Sequence, residues 1–150
     1  MSDTQQIQPD ATDWKIIDIL RDEYQSNNKI ARLLDVSEGM VRRRIQRLKE
    51  AGILRICAQI NPDVLEQQQL AMITVNVSES RLLEPKAKEI SQLEGVLSVS
   101  IVSGRYDLIV EVLVDSNHGL VKFLTEELSS VQGIMKTESF LLLKSARKYV

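Results

Sequence analysis

The chain has 150 residues, 43% of them hydrophobic, with one cysteine, one histidine and a formal net charge of −2. That content is globular and leaves room for two small domains, while a lone cysteine excludes an internal disulfide and suits a reducing cytoplasm. No stretch approaches the apolar length that spans a bilayer, and the polar, acidic start MSDTQQIQPD lacks the basic-then-apolar order of a signal peptide.

Residues 1–11 read as a flexible tail. From Asp13 to Tyr24 a first helix is predicted, with Trp14, Ile17 and Leu20 on one side and Ile16 and Ile19 widening the apolar face. Ser26 is placed to cap a short second helix whose inward residues are Ile30, Leu33 and Leu34. Asp35, Val36 and Ser37 then make a tight corner, and Asp is among the few non-glycine types that tolerate a left-handed backbone there. Ser37 caps a third helix in which Val41, Ile45 and Leu48 recur at helical spacing on one stripe, and Gly52 closes it. The short apolar run from Ile53 to Ile60, with Cys57 as a small filler, is expected to form a wing strand that stops at Asn61-Pro62.

On the third helix, Gly39, Met40, Arg43, Gln46 and Arg47 lie away from the core stripe, Arg42 and Lys49 flank it on one side, and Arg44 on the other. Arginine grips phosphate or forks onto guanine O6 and N7. Five positive charges between Arg42 and Lys49, with no acid among them, sit in the second helix of a turn motif. That context points to DNA recognition over a merely solvated basic face. The candidate DNA-binding residues are Ser37, Gly39, Met40, Arg42, Arg43, Arg44, Gln46, Arg47 and Lys49. Of these, Arg43 and Arg47 are expected nearest the bases, and Arg42, Arg44 and Lys49 mainly on phosphates. The acidic total does not oppose this, because the field is local: residues 1–61 carry ten Lys or Arg against nine Asp or Glu, and residues 62–150 nine against twelve. A winged helix-turn-helix domain over 12–61 and a linker over 62–69 are expected.

From residue 70 onward the pattern repeats. A shift of 38 positions lays Leu70 on Leu108, Ser78 on Ser116, and Leu93-Glu94-Gly95-Val96 on Val131-Gln132-Gly133-Ile134. Each half reads as strand, capped helix, glycine, strand, which builds a ferredoxin-like βαββαβ sheet over 70–150. Strands are expected over 70–77, 96–103, 106–114 and 134–143, and helices over 81–93 and 117–131. Two helices cover one face of such a sheet, yet Leu108, Val110 and Val112 alternate with Ile109 and Leu113, so both faces are apolar. Another subunit is expected on the bare face, and a dimer suits a palindromic site.

The raw materials of an enzyme are scarce. His118 is the sole histidine and falls at a helix start, Cys57 has no histidine near it in sequence, and neither metal-ligand spacing nor a phosphate loop is present. No enzyme activity, cofactor or metal is expected. A ligand-sensing or assembly module with an inert first domain is the other alternative, and the arginine cluster speaks against it.

The Asp-led first helix, the Ser-capped second helix, VSEGMVRRRIQRLKEAGIL, INPDVL and the later SGRYDLIVEV together resemble the leucine-responsive and asparagine-regulator (Lrp/AsnC, feast/famine) family, from about Ala11 to the end. The chain departs from it at Asp35, where the family has glycine, and at Arg55-Ile56, where the family has glycine-tyrosine. The resemblance implies an α+β protein, a winged helix-turn-helix followed by a ferredoxin-like RAM-type domain, acting as a sequence-specific transcriptional regulator. It implies double-stranded DNA as partner, homodimers that assemble further, for instance to an octamer, and an amino acid or similar effector. The matching effector turn is Gly104, Tyr106 and Asp107, to which Thr137 and Ser139 of the last strand are added. Asp107 suits an α-ammonium and hydroxyls suit carboxylate oxygens. The same residues also read as a plain hairpin turn, and both readings stand at this point. Some tetrapyrrole decarboxylases resemble this architecture, but they carry histidine-containing strand motifs where this chain has SIVSGRYDLIV.

Overall fold

A computed structural model describes residues 7–150, so most of the expected tail lies outside the described residues. The chain divides into two compact units, the first ending at Ala58 and the second spanning Gln59–Val150. The first unit holds α1 (Ala11–Asp22), α2 (Asn27–Leu34) and α3 (Glu38–Glu50). Their starts are set by short polar side chains, as a helix with free N–H groups requires. Asp10 accepts from the N–H groups of Thr12 and Asp13, and the Asp13 carboxylate accepts in return from Asp10, which makes a reciprocal capping box. Ser26 accepts from Lys29, and Ser37 from Met40. Asp35 is left-handed at φ 53°, as the corner demands. Gly52, at φ 69°, ends α3: its N–H donates to Lys49 and that of Ile53 to Leu48, satisfying carbonyls that the helix leaves open.

Ile16, Ile30, Ala31 and Val41 pack as the core of this unit, with Leu48 buried beside them. Two inward assignments are corrected. Trp14 is 52% exposed, because the inward stripe of α1 runs Asp13, Ile16, Ile17 and a carboxylate takes the place given to the indole. Leu33 is 61% exposed, and Ala31 packs inward in its stead. The wing strand expected over Ile53 to Ile60 is not formed, because a strand needs a ladder partner and, among the described residues, none pairs with the stretch from Ile53 to Gln59. Ile53, Ile56 and Cys57 are exposed, so the thiol is no filler. Ile60 alone is paired, exchanging N–H···O bonds of 2.8 and 3.0 Å with Val150, which ties it to the second unit.

The second unit is a four-stranded antiparallel sheet in the order β2-β3-β1-β4, built from β1 (Gln69–Val77), β2 (Val96–Ile101), β3 (Leu108–Val114) and β4 (Ile134–Leu141). It is the ferredoxin-like arrangement, with α4 (Leu83–Ile90) between β1 and β2 and α5 (Asn117–Lys122) between β3 and β4. Ala71, Ile73 and Val75 of β1 with Leu108, Val110 and Val112 of β3 form the core face, closed by Ile90, Phe123 and Leu128. The helices are shorter than their pattern suggested. α4 follows a 3-10 turn, and α5 gives way to one wide π-type turn, Phe123–Glu127, and a 3-10 turn. Phe123 and Leu128 are both buried, and a regular helix would set residues five apart about 140° around its axis. Neither Ser78 nor Ser116 caps a helix; Ser116 sits at φ 97° and makes no side-chain cap bond.

The register assigns the opposite face to Met72, Ile109, Leu113 and Phe140, but also to Thr74, Glu111 and Glu138. The bare face is therefore mixed, not wholly apolar as expected: Lys148 pairs with Glu111 and Lys136 with Glu138 across it.

Candidate nucleic-acid interface and effector turn

Because Val41 and Leu48 are fully buried, α3 turns its other side outward. Ser37, Arg42, Arg43, Gln46, Arg47 and Lys49 are exposed, and Gly39, Met40 and Arg44 are half-buried. Several outward side chains carry weak local ties. Arg42 lies 3.5 Å from Glu38, Arg43 Nε donates to the Gly39 carbonyl at 3.3 Å, and Gln46 donates to Glu50 at 2.7 Å. Exposed ion pairs of this kind contribute about 0–1 kcal/mol, so DNA can displace them.

Arg44 and Arg47 are held differently. Arg44 Nη1 donates to Asp10 at 2.7 Å and to Asp13 at 2.8 Å, and Arg47 Nη2 donates to the second oxygen of Asp13. Asp13 is fully buried, while the two arginine side chains stay 24% and 44% exposed. The bond from Arg44 holds the Asp10 carboxyl below its ordinary value, and the same bond raises Arg44. The cationic run is thus not unrelieved in space: Glu38, Asp10 and Asp13 answer Arg42, Arg44 and Arg47. Met40, Arg43, Arg44 and Arg47 nevertheless line one shallow hollow of about 220 Å³ on the outward side.

In the second unit, Gly104 is exposed at the tip of the β2–β3 turn. Tyr106 donates its hydroxyl to Glu138 at 2.5 Å, spanning β1 to reach β4. Asp107 accepts the Val77 N–H at 2.9 Å and the Asn76 amide at 3.4 Å, while its own N–H donates to the Val75 carbonyl at 3.0 Å. Its carboxylate therefore pins the turn to β1. Thr137 and Ser139 are exposed on β4, opposite Val75 and Ile73. Leu108 and Thr137 flank Val75 at about two strand spacings, ~10 Å. Thr137 and Ser139 share the helix-covered face with Val75 and Ile73, whereas Asp107 meets Asn76 and Tyr106 meets Glu138 on the other face, so the two groups are not brought together within one chain. Around the Tyr106 hydroxyl, Glu138 also takes Lys136 at 3.0 Å and lies 3.7 Å from Arg105, whose guanidinium is 5.4 Å from the Tyr106 ring centre. The hydroxyl of Tyr106, then Lys136, holds the Glu138 carboxyl below its usual range, and Glu138 pushes the phenol up. A larger hollow of about 450 Å³ lies elsewhere in this unit, against Gly95, Val96, Gly119 and Phe123.

Sequence reasoning missed Asp10, Asp13 and Glu138. A signal for the first two was present: acids three apart just ahead of an apolar run mark a helix start. Nothing in the sequence paired them with α3.

Residues 70–149 match the family described as the Lrp/AsnC ligand binding domain, and residues 9–55 match a winged helix-turn-helix DNA-binding family. An uncharacterized HTH-type transcriptional regulator of Pyrococcus furiosus is 33% identical over 135 residues, 89% of this chain and 90% of that protein. Among solved structures, the leucine response regulatory protein LrpA of Mycobacterium tuberculosis has a TM-score of 0.78 at 19% identity, covering 93% of this chain and 96% of its own. A Neisseria meningitidis transcriptional regulator in complex with L-methionine has a TM-score of 0.70 at 22% identity, covering 94% of each chain. These structural likenesses carry the fold. Among the described residues, no helix is long and apolar enough to cross a membrane.

Proposed function

The chain belongs to the Lrp/AsnC family of DNA-binding transcriptional regulators, and from that premise we propose that it binds a palindromic operator sequence-specifically as a homo-oligomer whose second unit senses an amino acid. One observation carries the reading: α3 buries Val41 and Leu48 and offers Arg42, Arg43, Gln46 and Lys49 to solvent on one surface. Docked in a major groove, that surface sets Arg43, with Gly39, Met40 and Gln46, toward base edges, and Arg42, Lys49 and the Ser37 end toward phosphates. Arg44 and Arg47 stand beside Arg43, tethered to α1.

The mixed face of the sheet, with Ile109, Leu113 and half-exposed Phe140, suits a second subunit, and dimers carry two recognition helices. Further assembly, as to an octamer, multiplies those heads and raises affinity through avidity. The effector is assigned to Gly104, Tyr106 and Asp107 with Thr137 and Ser139, where the L-methionine complex of the Neisseria regulator supports an amino acid. Gly104, Thr137 and Ser139 are exposed in one chain, and a neighbouring subunit is assigned to close the site over them. An effector that binds two assemblies unequally shifts their populations.

Fluorescence anisotropy with duplexes selected from a random pool tests the DNA reading. Affinity falls steeply with salt, and Arg43→Ala weakens the selected duplex by about 1–3 kcal/mol with the oligomer intact. No binding at low salt, or binding indifferent to salt, refutes it.

A further inference from the structure

Asp13 takes an inward position on α1, beside Ile16 and Ile17, and is fully buried. A buried carboxylate is costly unless matched, and an apolar side chain of similar size stabilises such a position at least as well. Here it is matched by three donors: the Asp10 N–H, Arg44 Nη1 and Arg47 Nη2. Arg44 and Arg47 are three residues apart on α3, so one carboxylate between them fixes both the rotation of α3 about its axis and the direction of two guanidinium forks. A guanidinium has five N–H groups in a rigid plane, and those not taken by Asp10 and Asp13 are left beside Met40 and Arg43 around the outward hollow.

Resting on the reading of α3 as the recognition helix, we propose that Asp13 is a positioning residue for operator recognition: it aims Arg44 and Arg47 at one place beside Arg43 and withholds them from indiscriminate phosphate contact. Two arginines facing two aspartates add little net charge, so their contribution to counterion release is small. What they supply is direction, which discriminates sequences.

Asp13→Asn keeps the shape and an acceptor oxygen while removing the charge. Binding is measured over a range of salt concentrations against two probes, a duplex selected by the wild-type protein from a random-sequence pool and poly(dI–dC). Affinity for the selected duplex is expected to drop about tenfold or more, the scale of one lost base contact. Affinity for poly(dI–dC) holds or rises, and the salt slope steepens by up to about 0.9 for each arginine released to phosphate. Parallel losses on both probes at constant slope, or no change on either, overturn the proposal. Arg47→Met, which keeps the packed stem of a half-exposed side chain, gives a second reading should Asp13→Asn fail to fold. It is expected to lower the ratio of the two affinities at constant slope; a slope shallower by about 0.9 per head marks Arg47 as a plain phosphate contact and overturns the proposal. Wild-type protein that binds neither probe at low salt sinks the recognition-helix reading itself, an outcome distinct from all of these.

Discussion

Asp107 separates the two roles its turn can play, through the contrast of Asp107→Ala with Asp107→Asn. The carboxylate accepts the Val77 N–H at 2.9 Å and the Asn76 amide at 3.4 Å, the first a sound bond and the second a marginal one. A hydrogen bond to a charged acceptor contributes about 1.5–3 kcal/mol, and half-burial with solvent access places this one near the lower end, ~1.5 kcal/mol. Alanine loses it and leaves a β1 N–H without its partner. Asparagine retains an acceptor oxygen as a neutral bond and is expected to cost about half as much. In a unit of this size each kcal/mol moves Tm by about 4–8 °C, so alanine lowers Tm by ~6–12 °C and asparagine by ~3–6 °C. Calorimetric scans at fixed protein concentration, with and without L-methionine, read both effects. If Asp107 also pairs an α-ammonium, asparagine abolishes the ligand-induced rise in Tm despite its milder effect on the unliganded protein. Alanine within about 2 °C of wild type refutes the pinning role, since the loss of a real bond cannot hide at that scale.

Gly95→Ala and Gly52→Ala form a pair: both glycines are left-handed, but a Cβ at Gly95 falls 2.6 Å from the Leu113 carbonyl oxygen and one at Gly52 meets nothing within 4 Å. Gly52→Ala is expected to cost the first unit about 1 kcal/mol and Gly95→Ala clearly more in the second, and equal losses in urea titrations count against the strand contact. Glu111 is lowered from its ordinary value of 4.5, chiefly by the bond from Lys148. Its folded form thus binds protons more weakly than its unfolded form, so the pair stabilises above that value and the gain is lost as pH falls through the lowered one. Lys148→Met makes the fall of Tm on acidification shallower, and an unchanged profile argues against the pair. Phe140→Glu, on the helix-free face, is expected to shift sedimentation equilibrium toward a 17.0 kDa species, whereas a wild-type monomer at micromolar concentration removes the subunit reading of that face.

What the sequence alone determined is what neighbours along the chain control. The stripe of Val41, Ile45 and Leu48, the caps Ser26 and Ser37, the left-handed Asp35 and Gly52, and the doubled strand-helix-glycine pattern all rest on spacing within a few residues, where periodicity and backbone preference act directly. Tertiary structure alone decided which groups meet. Asp13 and Arg47 are separated by 34 residues, Tyr106 and Glu138 by 32, and no local signal names such partners. Packing of α1 on α3 turned a tryptophan out, let a carboxylate in and redistributed the charges of the recognition helix. The stretch from Ile53 to Gln59 formed no strand for the same reason: strand propensity is local, but a ladder exists only where a second backbone is brought alongside.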